Sequence, residues 1–286
     1  MKSFLTILAA VVISLAAGHF IYKPTLTTNV IEQKTSSQVF EKQKIRCGYQ
    51  YWDGGLFKDE ATGKLKGFMV DYTEKLAANT EMQIEWIGPI DWANITAELN
   101  ANKIDAWCAG TWLSGKNARF MLVSDPVAYN GFEAFVRGDD TRFDADPNLL
   151  NDPSVTLAVI GSTSSAYVAQ RILPQAKVFD LPLSATDVEV IMNVATGKAD
   201  VGFNSPGIVY QYMQENPGKV KRLRPDQPYA LMGVTYTVKQ GEWQLHHLLN
   251  TAIKELDKTG YTQKLITQYN AEYPGLFATS DKLPSR

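Results

Sequence analysis

Histidine and cysteine are nearly absent from this sequence, with three and two residues among 286. So thin a supply leaves no His/Cys/carboxylate cluster at metal-ligand spacing, and no metal site is read. No G-x-x-x-x-G-K phosphate loop and no G-x-S-x-G nucleophile elbow is present. An excess of charge of one sign is lacking as well. The formal net charge is −2, so no long-range basic field draws the chain to a nucleic acid or an anionic membrane surface. The short basic cluster "KVKRLR" (219–224) reads as a solvated strand. No catalytic residue and no organic cofactor is assigned from these absences.

Beyond residue 22 no segment is apolar enough to span a bilayer. The first residues differ. Lys2 precedes an apolar run over 4–17, 14 residues long, the size of a secretory h-region. Ala16, Ala17 and Gly18 offer small residues for cleavage. Extended through Phe20, Ile21 and Tyr22, the same run makes an uncleaved anchor of about 19 residues, marginal for a bilayer of about 30 Å. Residues 1–22 are therefore a signal peptide or a signal anchor, and either places the bulk of the chain in the periplasm. Residues 23–43 are polar and weakly periodic, and read as a spacer. Cys47 and Cys108 permit a disulfide in an oxidising compartment; two small buried residues on neighbouring strands fit them equally well.

What the sequence has in quantity is an α/β rhythm. With 45% hydrophobic and 20% charged residues it is globular, and long enough for two ordinary domains. "KIRCGY" reads as a strand, "GFMVDYTEKLAANT" as a helix with Met69, Tyr72 and Leu76 at helical steps, and "MQIEWIGP" as a strand. Asp71 with Glu74 has the form of a capping box, or of an aspartate one turn inside the helix. "DWANITAELNANK" and "IDAWCAG" continue the alternation. An Asp-, Asn- and Pro-rich stretch, "TRFDADPNLLNDPS", then marks loops. A second run follows: "VTLAVI", "GSTSSAYVAQRIL", "KVFDLP", "DVEVIMNVATGK", "ADVGFN" and "SPGIVYQYMQEN". "ALMGVTYTVK" and two helices flanking Gly260 close the chain. Alternation of this kind favours a largely parallel sheet, with ligand groups at the carboxyl ends of its strands.

Six stretches in this order, "GKLKGFMVDYTEKLA", "WANITAELNANKIDAWCAG", "SDP" (124–126), "GSTSSAYV", "ATGKADVGFNSPGIVYQY" and "GVTYTVKQGEWQLHHLLNTAIKELDKTGYTQKLITQY", resemble the family-3 solute-binding proteins. These are periplasmic amino-acid-binding receptors of ABC importers with the type II two-lobe fold. The resemblance runs over 44–269. It implies a discontinuous first lobe (44–136 and 238–286), a second lobe (137–237), and a hinge of two strands crossing near 133–137 and 232–237. Ligand would bind between the lobes and close them. The implied partners are a small solute and the membrane permease of an importer, and the implied state is a monomer.

In relatives that bind amino acids, an arginine seven residues before the serine of "SDP" forks onto the ligand carboxylate. Here that position is Asn117. Arg119 lies two residues on, roughly 200° round a helix, and reads as a surface residue that reaches the cleft only through a rearranged loop. The family's aspartate for the α-ammonium, at the end of "ADVGF", is Asn204. Both charged anchors are thus neutral amides, and an ion closed in a cleft without a partner is costly. A standard α-amino-acid zwitterion is therefore not the expected ligand. Tyr49, Trp52 and Trp112 offer aromatic faces for a flat or cationic solute. Thr111 and Ser114, with Ser162 and Thr163 of the helix-opening "GSTSS", offer hydrogen bonds, or simply cap their own helix.

Two other classes compete. Some proteins of this fold are dehydratase-like lyases, which need a positioned acid or base; Asp53, Glu133 and Asp91 are the candidates near the cleft. A ligand-sensing domain serving a membrane partner is the third reading.

Overall fold

The computed structural model describes residues 34–52, 54–161, 163–225 and 227–279. The segment read as an export signal lies outside them. No helix among the described residues is long and apolar enough to cross a membrane.

Three parallel strands build the first lobe: β1 (Lys44–Gly48) lies between β4 (Gln83–Ile87) and β5 (Ala106–Trp112). A two-residue hairpin, β2 (Phe57–Lys58) with β3 (Leu65–Lys66), leads into α2 (Phe68–Asn79). Met69, Tyr72 and Leu76 of α2 are buried at three- and four-residue steps, as their spacing predicts. Asp71 does not cap this helix. The N-cap is Gly67 at φ 122°, where an added Cβ would stand 2.4 Å from the Gly55 carbonyl oxygen. Asp71 sits in the first turn and accepts a hydrogen bond from the Tyr269 hydroxyl at 2.8 Å. Short α3 (Ile95–Asn100) precedes β5.

Helices α7 (Trp243–Lys258) and α8 (Tyr261–Glu272) return to this lobe and bury Leu249, Ile253, Leu265 and Ile266 against α2 and the sheet. Gly260, at φ 79°, makes the turn between them. Cys47 and Cys108 are disulfide-bonded across β1 and β5, inside this core. The disulfide is thus the alternative that holds.

The stretch read as a spacer is helical over α1 (Lys34–Lys42). Val39 joins the first core, so the folded body begins ahead of β1.

The second lobe repeats the plan. Strands β8 (Thr156–Ile160), β9 (Lys177–Leu181) and β10 (Val201–Asn204) run parallel, with α4 (Ser164–Ile172) and α5 (Asp187–Ala195) packed on the sheet and α6 (Pro206–Glu215) beside α5. Pro206 occupies the first turn of α6, where its missing N–H costs nothing.

Two long strands join the lobes, β7 (Ala128–Arg137) and β12 (Ala230–Lys239). They pair antiparallel with each other over 128–132 and 230–234. Beyond that stretch β12 pairs with β5 and with β6 (Met121–Val123) of the first lobe. The far end of β7 pairs with β10 and with β11 (Val220–Leu223) of the second. One sheet therefore runs β4-β1-β5-β12-β7-β10-β8-β9 through both lobes. The basic cluster falls on β11, but it is less solvated than its composition suggests. Val220 and Leu223 are buried, and Arg222 forms two bonds to Glu133 at 2.6 and 2.8 Å.

Candidate functional site

β5 ends at Trp112, which meets Asn130 and Phe132 of β7, and β10 ends at Asn204, which lies opposite Glu133 of β7, so both strands deliver their carboxyl ends to the strands that join the lobes. Loops at such ends carry ligand groups in parallel sheets.

After β1 the aromatic residues are held to different degrees: Tyr49 is buried, Trp52 half-buried and Tyr51 exposed. Tyr49 is buried against the rings of Trp86 and Tyr51, and desolvation together with the Tyr51 hydrogen bond pushes its hydroxyl up to about 12. Trp52 donates its indole N–H to the Ala109 carbonyl at 2.6 Å and sets its edge against Phe277. Its ring lies over Gly55, where an added Cβ would come within 1.9 Å of it. Trp52 thus buttresses the loop and does not stand free as a stacking platform.

After β5 the residues reach the hinge. Thr111 and Thr235 approach through their hydroxyls at 3.2 Å, and the Thr235 hydroxyl donates to the Thr111 carbonyl at 3.0 Å. Trp112 donates to Asn130 Oδ1 at 3.4 Å and sets its ring edge-on to Phe132 at 5.4 Å. Phe132 stacks on Phe203 at 5.1 Å, and Phe203 meets Tyr229 edge-on. Trp112, Phe132 and Phe203 form one aromatic row from the end of β5, across β7, to β10. This row is the continuous feature that links the two sides of the junction.

The loop expected to hold an anion carries two exposed cations, Lys116 and Arg119, on either side of Asn117. Asn117 opens a single 3-10 turn, Asn117–Arg119, and is half-buried. Ser114 accepts the Ala118 N–H through its backbone carbonyl at 3.1 Å. Arg119 is exposed, with its guanidinium carbon 5.6 Å from the ring of Phe120. Across the junction, Thr163 caps α4: its hydroxyl accepts the Ala166 N–H at 3.1 Å and donates to the Ile160 carbonyl at 2.7 Å. Ser162 lies outside the described residues.

Asn204 is 4% exposed. Its Oδ1 accepts the Ser205 N–H at 2.8 Å and its Nδ2 donates to Asp187 Oδ1 at 2.9 Å. Asp187 is a residue that reading the sequence missed. The signal was present in "TDVE", a capping box that fixes Asp187 as the first residue of α5. What connects it to Asn204 is tertiary and has no mark in the sequence.

Two of the three groups weighed as acid or base have structural partners. Glu133 is bound by Arg222. Asp91 caps the 3-10 helix Trp92–Asn94 by accepting the Ala93 N–H at 2.9 Å. Asp53 lies outside the described residues. Among those residues no group of three or more His, Cys, Asp or Glu is placed to hold a metal ion.

Two α/β lobes joined by a pair of crossing strands define the fold of the type II periplasmic binding proteins. The chain belongs to the bacterial extracellular solute-binding proteins, family 3, whose profile matches residues 53–272. It is similar to the probable amino-acid-binding protein YxeM of Bacillus subtilis (strain 168). The two are 22% identical over 213 residues, covering 74% of this chain and 79% of YxeM. Among solved structures it is similar to the ancestral amino acid-binding protein AncCDT-1, a precursor of cyclohexadienyl dehydratase. There the TM-score is 0.66 at 23% identity, over 82% of this chain and 98% of the other. A putative ABC-transporter binding component from Wolinella succinogenes DSM 1740, complexed with lysine, gives a TM-score of 0.66 at 20% identity, over 79% and 95% of the two chains. At these identities the likeness to solved structures speaks to fold alone.

Proposed function

We propose that this protein is an exported receptor that closes its lobes on a small polar or aromatic solute and delivers it to the permease of an ABC importer. The lobes are 44–136 with 238–286, and 137–237; the receptor acts in the periplasm as a monomer. Ligand binds the closed arrangement better than the open one and shifts the population toward it, and the permease reads that state.

The ligand is not a standard α-amino-acid zwitterion. The observation that carries this reading is the pair of amides, Asn117 and Asn204, where the family pattern sets a guanidinium and a carboxylate. Asn204 is already committed, with its oxygen on Ser205 and its nitrogen on Asp187. Arg119 points its charge over Phe120 and supplies no substitute. Thr111 and Trp112, both half-buried, supply contact surface in place of an ionic clamp, with Phe132 and Phe203 packed behind them.

A binding role is favoured over a lyase because Glu133 is neutralised by Arg222 and Asp91 is spent on a cap. Thermal melting of the protein against amino acids, carboxylates, quaternary amines and cyclic solutes tests the reading, since a ligand of the native state raises the melting temperature by mass action. A shift with solutes that lack the zwitterion supports it. A comparable shift with an ordinary L-amino acid overturns the ligand assignment.

A further inference from the structure

An amide at position 204 does not leave the second lobe's side of the junction without negative charge. Asp187 is held there from two directions. The capping box of Thr186 and Glu189 fixes its backbone: the Glu189 carboxylate accepts the Thr186 N–H at 2.7 Å, and the Thr186 hydroxyl accepts the Glu189 N–H at 3.2 Å. Asn204 fixes its side chain. Because the Ser205 N–H occupies Asn204 Oδ1, the amide presents its donor face to Asp187 Oδ1. Among the described residues no lysine, arginine or histidine is paired with Asp187, which sets it apart from Glu133, Asp105 and Asp140, each bound by an arginine.

The surroundings are those of a side chain in a recess. Asp187 is an exposed residue, yet its carboxyl lies against packed protein, so that desolvation raises it above the usual range, with the Asn204 hydrogen bond opposing the rise. Together with Ser165, Val159, Ile160, Val190 and Phe203 it lines a hollow of about 10 Å³. That is room for one water-sized group, which is also the size of an ammonium head. An aspartate at the start of a helix ordinarily serves the helix dipole. That role asks for neither a buried amide reaching over from the next strand nor a hollow beside the carboxylate.

We infer that Asp187, oriented by Asn204, is the cation-binding residue of the cleft, and that it takes the ammonium head of a small organic amine. The negative charge that the family pattern places at 204 is thereby moved across to α5, and Asn204 becomes its positioning residue. This deepens the proposed function and rests on it, since it names the solute class that the receptor would close on.

The test is calorimetric titration of the purified protein with cadaverine, choline, L-lysine and glutarate. Cadaverine should bind; choline, whose trimethylammonium head is too large for a water-sized hollow, should not, and neither should glutarate. Asp187→Asn should weaken the amine at least 10-fold, and adding Asn204→Asp to that variant should recover part of the loss. Melting of each ligand-free variant checks folding; if D187N does not fold, Asp187→Ser and the swapped pair carry the comparison. Undiminished amine binding in D187N overturns the inference, as does a wild type that binds only glutarate or no amine at all. L-lysine binding no more weakly than cadaverine would instead count against the non-zwitterion assignment, and would leave Asp187 to be judged by its own variant.

Discussion

Glu133 and Arg222 form a two-pronged ion pair, at 2.6 and 2.8 Å, where β7 enters the second lobe. The side chain of Glu133 is 3% exposed and that of Arg222 16%. A charge-assisted fork of this kind fixes both side chains, and breaking a buried pair strands the surviving charge. Glu133→Gln should therefore cost about 3 kcal/mol. For a chain of this size the melting temperature should fall by roughly 6–12 °C. A thermal melt in which E133Q matches the wild type would show that the pair carries no stability.

The bond between Cys47 and Cys108 closes a loop with a sequence separation of 61 residues. Constraining the unfolded chain over that length stabilises by about 4 kcal/mol in the loop-entropy account. Denatured protein should react with a thiol reagent only after reduction. Reduced protein should melt well below the oxidised form. Two reactive thiols before reduction would contradict the bond.

Acid should loosen the second lobe near its loop 138–144. Arg142 holds the Asp140 carboxyl below the usual carboxylate range through a bidentate contact, and also reaches Asp200 at 2.5 Å. A carboxyl whose folded pKa is depressed stabilises fully above its unfolded value, near 4, and loses that contribution as pH falls through the depressed value. Arg142→Gln should lose that contribution at neutral pH, and its deficit against the wild type should shrink as pH falls below about 4. An unchanged acid limb would remove Asp140 from the account.

The elements were largely legible before the structure. Met69, Tyr72 and Leu76 announce α2, and Pro206 and Gly260 fall where a helix start and a helix end require them. Helix α1 was not legible, because its composition is polar and its tie to the core, through Val39, is tertiary. The site was half legible. Positions 117 and 204 could be counted off from neighbouring motifs, so the missing charges were visible. The fates of Trp52 and Asn204 were not, because each is decided by a partner far along the chain: Ala109 for the indole, 57 residues away, and Asp187 for the amide, 17 residues away. Local pattern places a side chain on a strand end, and tertiary contacts decide whether it is available to a ligand.

If two amides exclude the zwitterion, restoring the charges should readmit it. Asn117→Arg with Asn204→Asp returns the guanidinium and the carboxylate that clamp amino acids in the family pattern. The double variant should gain affinity for a simple L-amino acid by 10-fold or more, the equivalent of about 1.4 kcal/mol. Asn204→Asp alone should gain less, since it leaves the carboxylate of the ligand unpaired. A double variant that stays silent would place the exclusion in cleft shape and not in charge.

The most direct measurement is calorimetric titration of the wild-type protein with L-glutamine, L-arginine and L-lysine beside cadaverine and choline. The account predicts no measurable heat with glutamine, a simple zwitterion, and saturable binding of at least one amine that lacks a carboxylate. Saturable micromolar binding of glutamine, with silence from both amines, would contradict it and return the chain to the ordinary amino-acid receptors of its family.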